Sequence, residues 1–119
     1  MRELKYRVYD NTEKCYSDKA FSIDQLGICY VQDEDGYWEE IDEERYIVEQ
    51  YTGIKDKNGK EIYEGDIVAY EKDNIDSVRF EYGGFYPFVE PYNDFGCPSG
   101  EEVEVIGNIH ENADLLGDK

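Results

Sequence analysis

Residues 51–70 read YTGIKDKNGKEIYEGDIVAY, and this stretch decides the fold. It opens with β-formers, reaches Asn58-Gly59, and restarts as EGDIVAY. Asn-Gly is the favoured pair for a two-residue type I′ hairpin, because both central residues need positive φ. The segment therefore predicts a hairpin followed by a strand, in which Ile67 and Ala69 face opposite to Val68 and Tyr70. The alternative is a phosphate-cradling loop. It lacks the G-x-x-x-x-G-K-[ST] pattern, and its EGD places acids where a phosphate binder needs backbone donors and lysine. Lys55, Lys57 and Lys60 form the one concentrated basic patch, read as a solvated hairpin tip. On this reading the glycines serve backbone shape, and Gly59→Val costs stability first.

Working outward, LKYRVY alternates with period 2. Leu4, Tyr6 and Val8 lie on one face, and Lys5, Arg7 and Tyr9 on the other, a half-buried strand. SDKAFSIDQLG reads as a short helix or a turn ending at Gly27. GICYVQ and YWEEI flank an acidic turn ending in Asp35-Gly36, a hairpin signal. ERYIVEQYTG is a strand with Ile47, Glu49 and Tyr51 on one side. DSVRFEY alternates Val78, Phe80 and Tyr82 against Arg79 and Glu81. GGFYPFVE returns after Gly83-Gly84, with Pro87 at an edge or bulge. VEVIGNI is the last strand, and ENADLL a helical turn with Asn112 as N-cap. Many short strands bounded by turns predict a mainly β chain, a small barrel or roll. A length of 119 residues fits one domain, divisible into an N-terminal part, residues 1–50, and a barrel, residues 51–119.

Charge is the chain's most unusual property. Twelve basic against thirty acidic side chains give a net charge of −18. Residues 21–53 carry ten acids and one base, and residues 73–119 eleven acids and two bases. Such a chain is repelled by nucleic acid and anionic lipid, and suits a partner with a basic surface. No apolar run approaches the length of a membrane span. The N-terminus lacks the apolar core of a signal peptide, so a cytoplasmic location in a bacterial host is expected. Cys15, Cys29 and Cys97 form no C-x-x-C pair, which disfavours a disulfide framework or zinc site. Some of them are expected as buried thiols.

The blocks YTGIKDKNGKEIYEGDIV and EVIGNIHENADLL, with LKYRVYD at the start, closely resemble the YopX-like family of phage and prophage proteins. Tyr9 stands where the family pattern leads one to expect Trp, and Ala113 where it leads one to expect Pro. The resemblance implies a mostly β fold with an SH3-like C-terminal part and a place in mobile elements. It carries no catalytic residue. A small, very acidic phage protein is also similar in profile to inhibitors of host defence nucleases that imitate DNA, anti-CRISPR proteins included.

Sites of known chemistry fare poorly against the sequence. In DEDGYWEEIDEE an EF-hand frame anchored on Gly36 puts Val31 at position 1 and Asp42 at position 12, where a bidentate Glu belongs. The DKNG frame puts Ile54 and Gly65 there. His110 reads as a partly exposed terminal histidine, with no spacing that pairs it with a cysteine. Among thirty acids a glycosidase-like carboxylate pair carries no information. Tyr82, Phe85, Tyr86, Phe88, Tyr92 and Phe95 crowd together, some for the core and some for a surface with an acidic rim.

The sequence thus points to a non-enzymatic protein without cofactor or metal that binds a host protein, in its sharp form as a DNA mimic. The expected partner-binding residues are Asp33, Glu34, Asp35, Glu39, Glu40, Asp42, Glu43 and Glu44 in one segment. Tyr86, Glu90, Tyr92, Asp94, Glu101 and Glu102 form the other set. The alternatives are a small-molecule enzyme using carboxylates and a structural or self-associating phage protein.

Overall fold

The computed structural model describes residues 5–70, 74–81, 84–88 and 99–117. The fold is mainly β, with a curled half-barrel sheet and 3-10 turns as its helical elements among the described residues. The strands are β1 (Tyr6–Asp10), β2 (Cys15–Tyr16), β3 (Phe21–Ile23), β4 (Cys29–Gln32), β5 (Trp38–Glu40) and β6 (Tyr46–Lys55). They continue with β7 (Glu61–Tyr63), β8 (Asp66–Tyr70), β9 (Asn74–Ser77), β10 (Arg79–Glu81), β11 (Gly84–Tyr86) and β12 (Val103–Asn108). The 3-10 turns are Gly100–Glu102 and Ala113–Leu116. The chain forms two units, one of residues 1–6 with 49–119 and one of residues 7–48.

In the larger unit β8 is the central strand of an antiparallel sheet, between β12 and β9. Ile67 and Val68 point to opposite faces, and both are fully buried. EGDIVAY is thus covered on both sides. Ile62, Val68, Val78 and Val103 form the core, with Ile54, Tyr70, Phe88 and Val105 packed against it. Burying each such aliphatic side chain contributes about 1.5–3 kcal/mol. Val78 enters this core while Phe80 is exposed, so the expected common face of DSVRFEY does not form. The strand breaks at Val78, whose N–H donates to Asp66 O while its own carbonyl accepts from Gly65 N. β10 pairs with β11, placing Phe80 opposite Phe85.

The β6–β7 hairpin carries two corrections. Its register shifts between Tyr51↔Tyr63 and Lys55↔Glu61, and Thr52 fills the gap. The Thr52 hydroxyl donates to Ile62 O at 2.8 Å and accepts from Ile54 N at 3.0 Å. The loop is not type I′, because Gly59 has positive φ (83°) and Asn58 does not. Asp56 N donates to Lys60 O and Gly59 N to Asp56 O, leaving a three-residue loop with Gly in the left-handed position. Asp56 Oδ1 accepts from Asn58 N and Lys60 N, and its Oδ2 from Val105 N on β12. Burial opposes charge on this carboxylate. The bonds from Val105, Lys60 and Asn58 and the Lys60 charge outweigh burial and lower its pKa.

In the smaller unit β1 pairs with β2, and β3, β4 and β5 form an antiparallel meander. The expected helix or turn in SDKAFSIDQLG is instead strand β3 followed by a turn at Asp24–Gly27. Val8 and Tyr9 are both buried, so β1 is covered on both faces towards its end rather than half-buried throughout. Asp10 is buried with them. It takes a two-pronged bond from Arg45, at 3.0 Å from Nε and 2.9 Å from Nη2, and accepts from Thr12 N and Glu13 N. The Arg45 bond, more than the backbone donors, holds the Asp10 carboxyl down at about 2.

Candidate partner-binding face and cleft

Most of the candidate acids sit on the meander of the smaller unit and the loop after it. Two of them are partly occupied by the fold. Asp33 Oδ1 accepts from Asp35 N and Tyr37 N, and Asp42 Oδ1 from Glu44 N. These aspartates shape turns, which narrows their role as contacts. Glu34, Asp35, Glu39, Glu40, Glu43 and Glu44 are exposed. Among the described residues none of these six carboxylates forms a salt bridge. Tyr37 and Trp38 stand among them, 71% and 48% exposed. Aromatic rings left in water beside uncompensated carboxylates suit an interface anchor rather than a core.

A cleft of about 450 Å³ opens in the same unit. Leu26, Ile28, Ile41, Tyr46 and Val48 give it apolar walls, and Glu40 and Glu43 supply carboxylates. The turn at Asp24 builds one wall. Asp24 Oδ1 accepts from Leu26 N and Ile28 N, and its Oδ2 accepts from the Tyr30 hydroxyl. The Ile28 bond leads in lowering the Asp24 pKa. Cys29 also lines the cleft. Burial, with Asp24 and Glu43 nearby, pushes its thiol up, so it stays protonated and a poor nucleophile. Cys15 is exposed and Cys29 half-buried, and Cys97 lies outside the described residues.

The second candidate set belongs to the larger unit. Glu90, Tyr92 and Asp94 lie outside the described residues, as do Tyr82 and Phe95. Tyr86 is half-buried, with the Arg79 guanidinium 4.0 Å from its ring centroid. Phe85 is buried and Phe88 packs on the core. Glu101 is exposed. Glu102 accepts from Ser99 N at 2.9 Å, the leading cause of its lowered pKa. Asn112 occupies the N-cap position of the 3-10 turn Ala113–Leu116, as expected, but its side chain makes no capping bond there. Its Oδ1 accepts from Asn108 N instead.

Sequence reasoning missed one pair. His110 is not a partly exposed terminal side chain. It is 11% exposed, and its Nε2 lies 2.8 Å from Oε2 of Glu49, itself 4% exposed. A Cβ added at Gly65 would overlap that same carboxylate. Three separated blocks, around residues 49, 65 and 110, thus meet at one point. The available signal is the strand period, which puts Glu49 on the face of buried Tyr51. Among the described residues no group of three His, Cys, Asp or Glu side chains is placed to hold a metal ion. No helix among them is long and apolar enough to cross a membrane.

These features define a small, acidic, mainly β protein whose exposed chemistry is carboxylate and aromatic. The chain belongs to the YopX protein family, whose model matches residues 5–117. It is similar to the crystal structure of protein EF1440 from Enterococcus faecalis. The identity is 26% over 98% of this chain and 99% of that chain, with a TM-score of 0.62. No curated protein matches the chain.

Proposed function

We propose that the chain is a non-enzymatic accessory protein that binds a host protein through a basic surface on that partner. The observation that carries this reading is the set of six exposed carboxylates without a salt-bridge partner around Tyr37 and Trp38. Charges of one sign left uncompensated steer encounter with a basic surface and reject nucleic acid. In its sharp form the partner is a nucleic-acid-binding defence protein of a phage host, and the carboxylates stand where phosphates would bind. Five carboxyl groups among the described residues, Asp10, Asp24, Asp56, Glu61 and Glu102, have pKa values moved downward. That favours fixed negative charge over proton transfer, and so favours binding over carboxylate catalysis.

The test is affinity capture from a bacterial host lysate with the full chain and with the variant E34Q/D35N/E39Q/E44Q. A specific protein should be retained at low salt and lost near 0.5 M salt, roughly where screening shortens to a few ångströms. The variant should not retain it. Capture that is equal at both salt levels, or equal with the variant, or no capture at all, overturns the reading.

A further inference from the structure

The cleft in the smaller unit joins two properties that folding leaves unmatched. Its walls are apolar, and Leu26 at its rim is 80% exposed. Its carboxylates, Glu40 and Glu43, form no salt bridge among the described residues. An apolar ligand would leave both charges uncompensated on desolvation, which is costly. A small hydrophilic cation would leave the apolar walls wet. The side chains that satisfy both are arginine and lysine, with an aliphatic stem and a cationic head.

Trp38 extends the site. It precedes Glu40 by two residues on β5, so both project from the same face of the meander. Tyr30 and Gln32, their cross-strand partners, share that face. Residues two apart in an extended segment are spaced about 7 Å, the same repeat as Trp38 and Glu40. A partner segment lying along β5 therefore sets one side chain on the indole and the one two places away at the cleft mouth.

We infer that this cleft is a docking site for an extended basic segment of a partner protein, which inserts an arginine or lysine between Glu40 and Glu43 and rests an apolar residue, two positions away, on Trp38. This rests on the binding function proposed above and names its anchor. Cys29 takes no covalent part in it, since a protonated thiol adds only apolar, polarisable surface.

The test is titration of the isotope-labelled full chain with the acetylated, amidated peptide Leu-Thr-Arg-Thr-Leu, followed by NMR. The control peptide has citrulline in place of arginine, which keeps shape and removes charge. The arginine peptide should shift amide signals of residues 26–29 and 38–48, and the citrulline peptide should bind about tenfold more weakly. The variant E40Q/E43Q should lower arginine-peptide affinity to the citrulline level. L26S should weaken both peptides while preserving their ratio. Both substituted sets are exposed, and the free variants' spectra report whether the fold is kept.

Equal binding of the two peptides, shifts spread over the acidic surface, or no binding overturns the cleft assignment. Lysate capture with E40Q/E43Q separates the two ideas. Capture that persists while the peptides fail sinks the cleft and leaves the general function standing. Peptide binding in the cleft without lysate capture does the reverse.

Discussion

Asp10 shows how much of this chain's acidity is used internally. Its carboxylate receives Arg45 and two backbone donors while almost wholly buried. Folding lowers its pKa from 3.8 to about 2, so near pH 3 the folded state binds fewer protons than the unfolded chain. The stabilisation is therefore complete above about pH 4 and is lost as pH falls through about 2. Asp10→Asn should cost about 2 kcal/mol at neutral pH, with the penalty shrinking below pH 3. Urea unfolding of both proteins across that range measures it, and a pH-independent difference would remove Asp10 from the acid limb. Composition gives no hint of this, since buried and exposed carboxylates look alike in a charge count.

At the scale of elements, one turn recurs. Asp24–Ile28, Asp33–Tyr37 and Asp56–Lys60 each place Asp at the first position and Gly at the fourth. In each, the Asp Oδ1 accepts from the third and fifth amides. The glycines Gly27, Gly36 and Gly59 have φ of 85°, 90° and 83°. The repeat is plain in DQLG, DEDG and DKNG, but attention to Asn58-Gly59 as a pair hides the aspartate that organises the loop. Strands β4 and β5 are legible from the Asp35-Gly36 turn between them, β8 from its restart after the hairpin, and β12 from the alternation of Val103 and Val105. Strand β3, three residues long, is too short for any period to register. Two glycines separate backbone demand from crowding. Gly59 has open space at its Cβ position, whereas Gly65, at φ 87°, faces the Glu49 carboxylate. Gly59→Ala should cost about 1 kcal/mol, the strain of the left-handed region alone. Gly65→Ala should cost about 3 kcal/mol or more, because Glu49 must also move. Equal losses in denaturant unfolding would show that the Glu49–His110 contact does not constrain position 65.

For the molecule as a whole, a net charge of −18 means self-repulsion in the folded state. Raising sodium chloride from about 0.02 M to about 0.5 M should lift Tm by a few degrees, and a flat or falling Tm would contradict this. The acidic face was readable as a charge run in residues 33–44. The cleft was not, because its walls come from residues 26–29, from Glu40, Ile41 and Glu43, and from Tyr46 and Val48, and only the fold brings them together. Nor was the pairing of residues 49 and 110, which lie 61 positions apart.

The chain leaves the larger unit after Tyr6 and re-enters it at Glu49, each time within a strand. Just inside those two points Tyr51 N donates to Lys5 O at 2.9 Å. The larger unit's two loose ends are thus already hydrogen-bonded neighbours, a gap that a tight turn of a few residues would span. The larger unit is thus nearly closed on itself at this point, and a chain in which a short turn replaces residues 7–48 is a direct check of whether that unit keeps its fold alone.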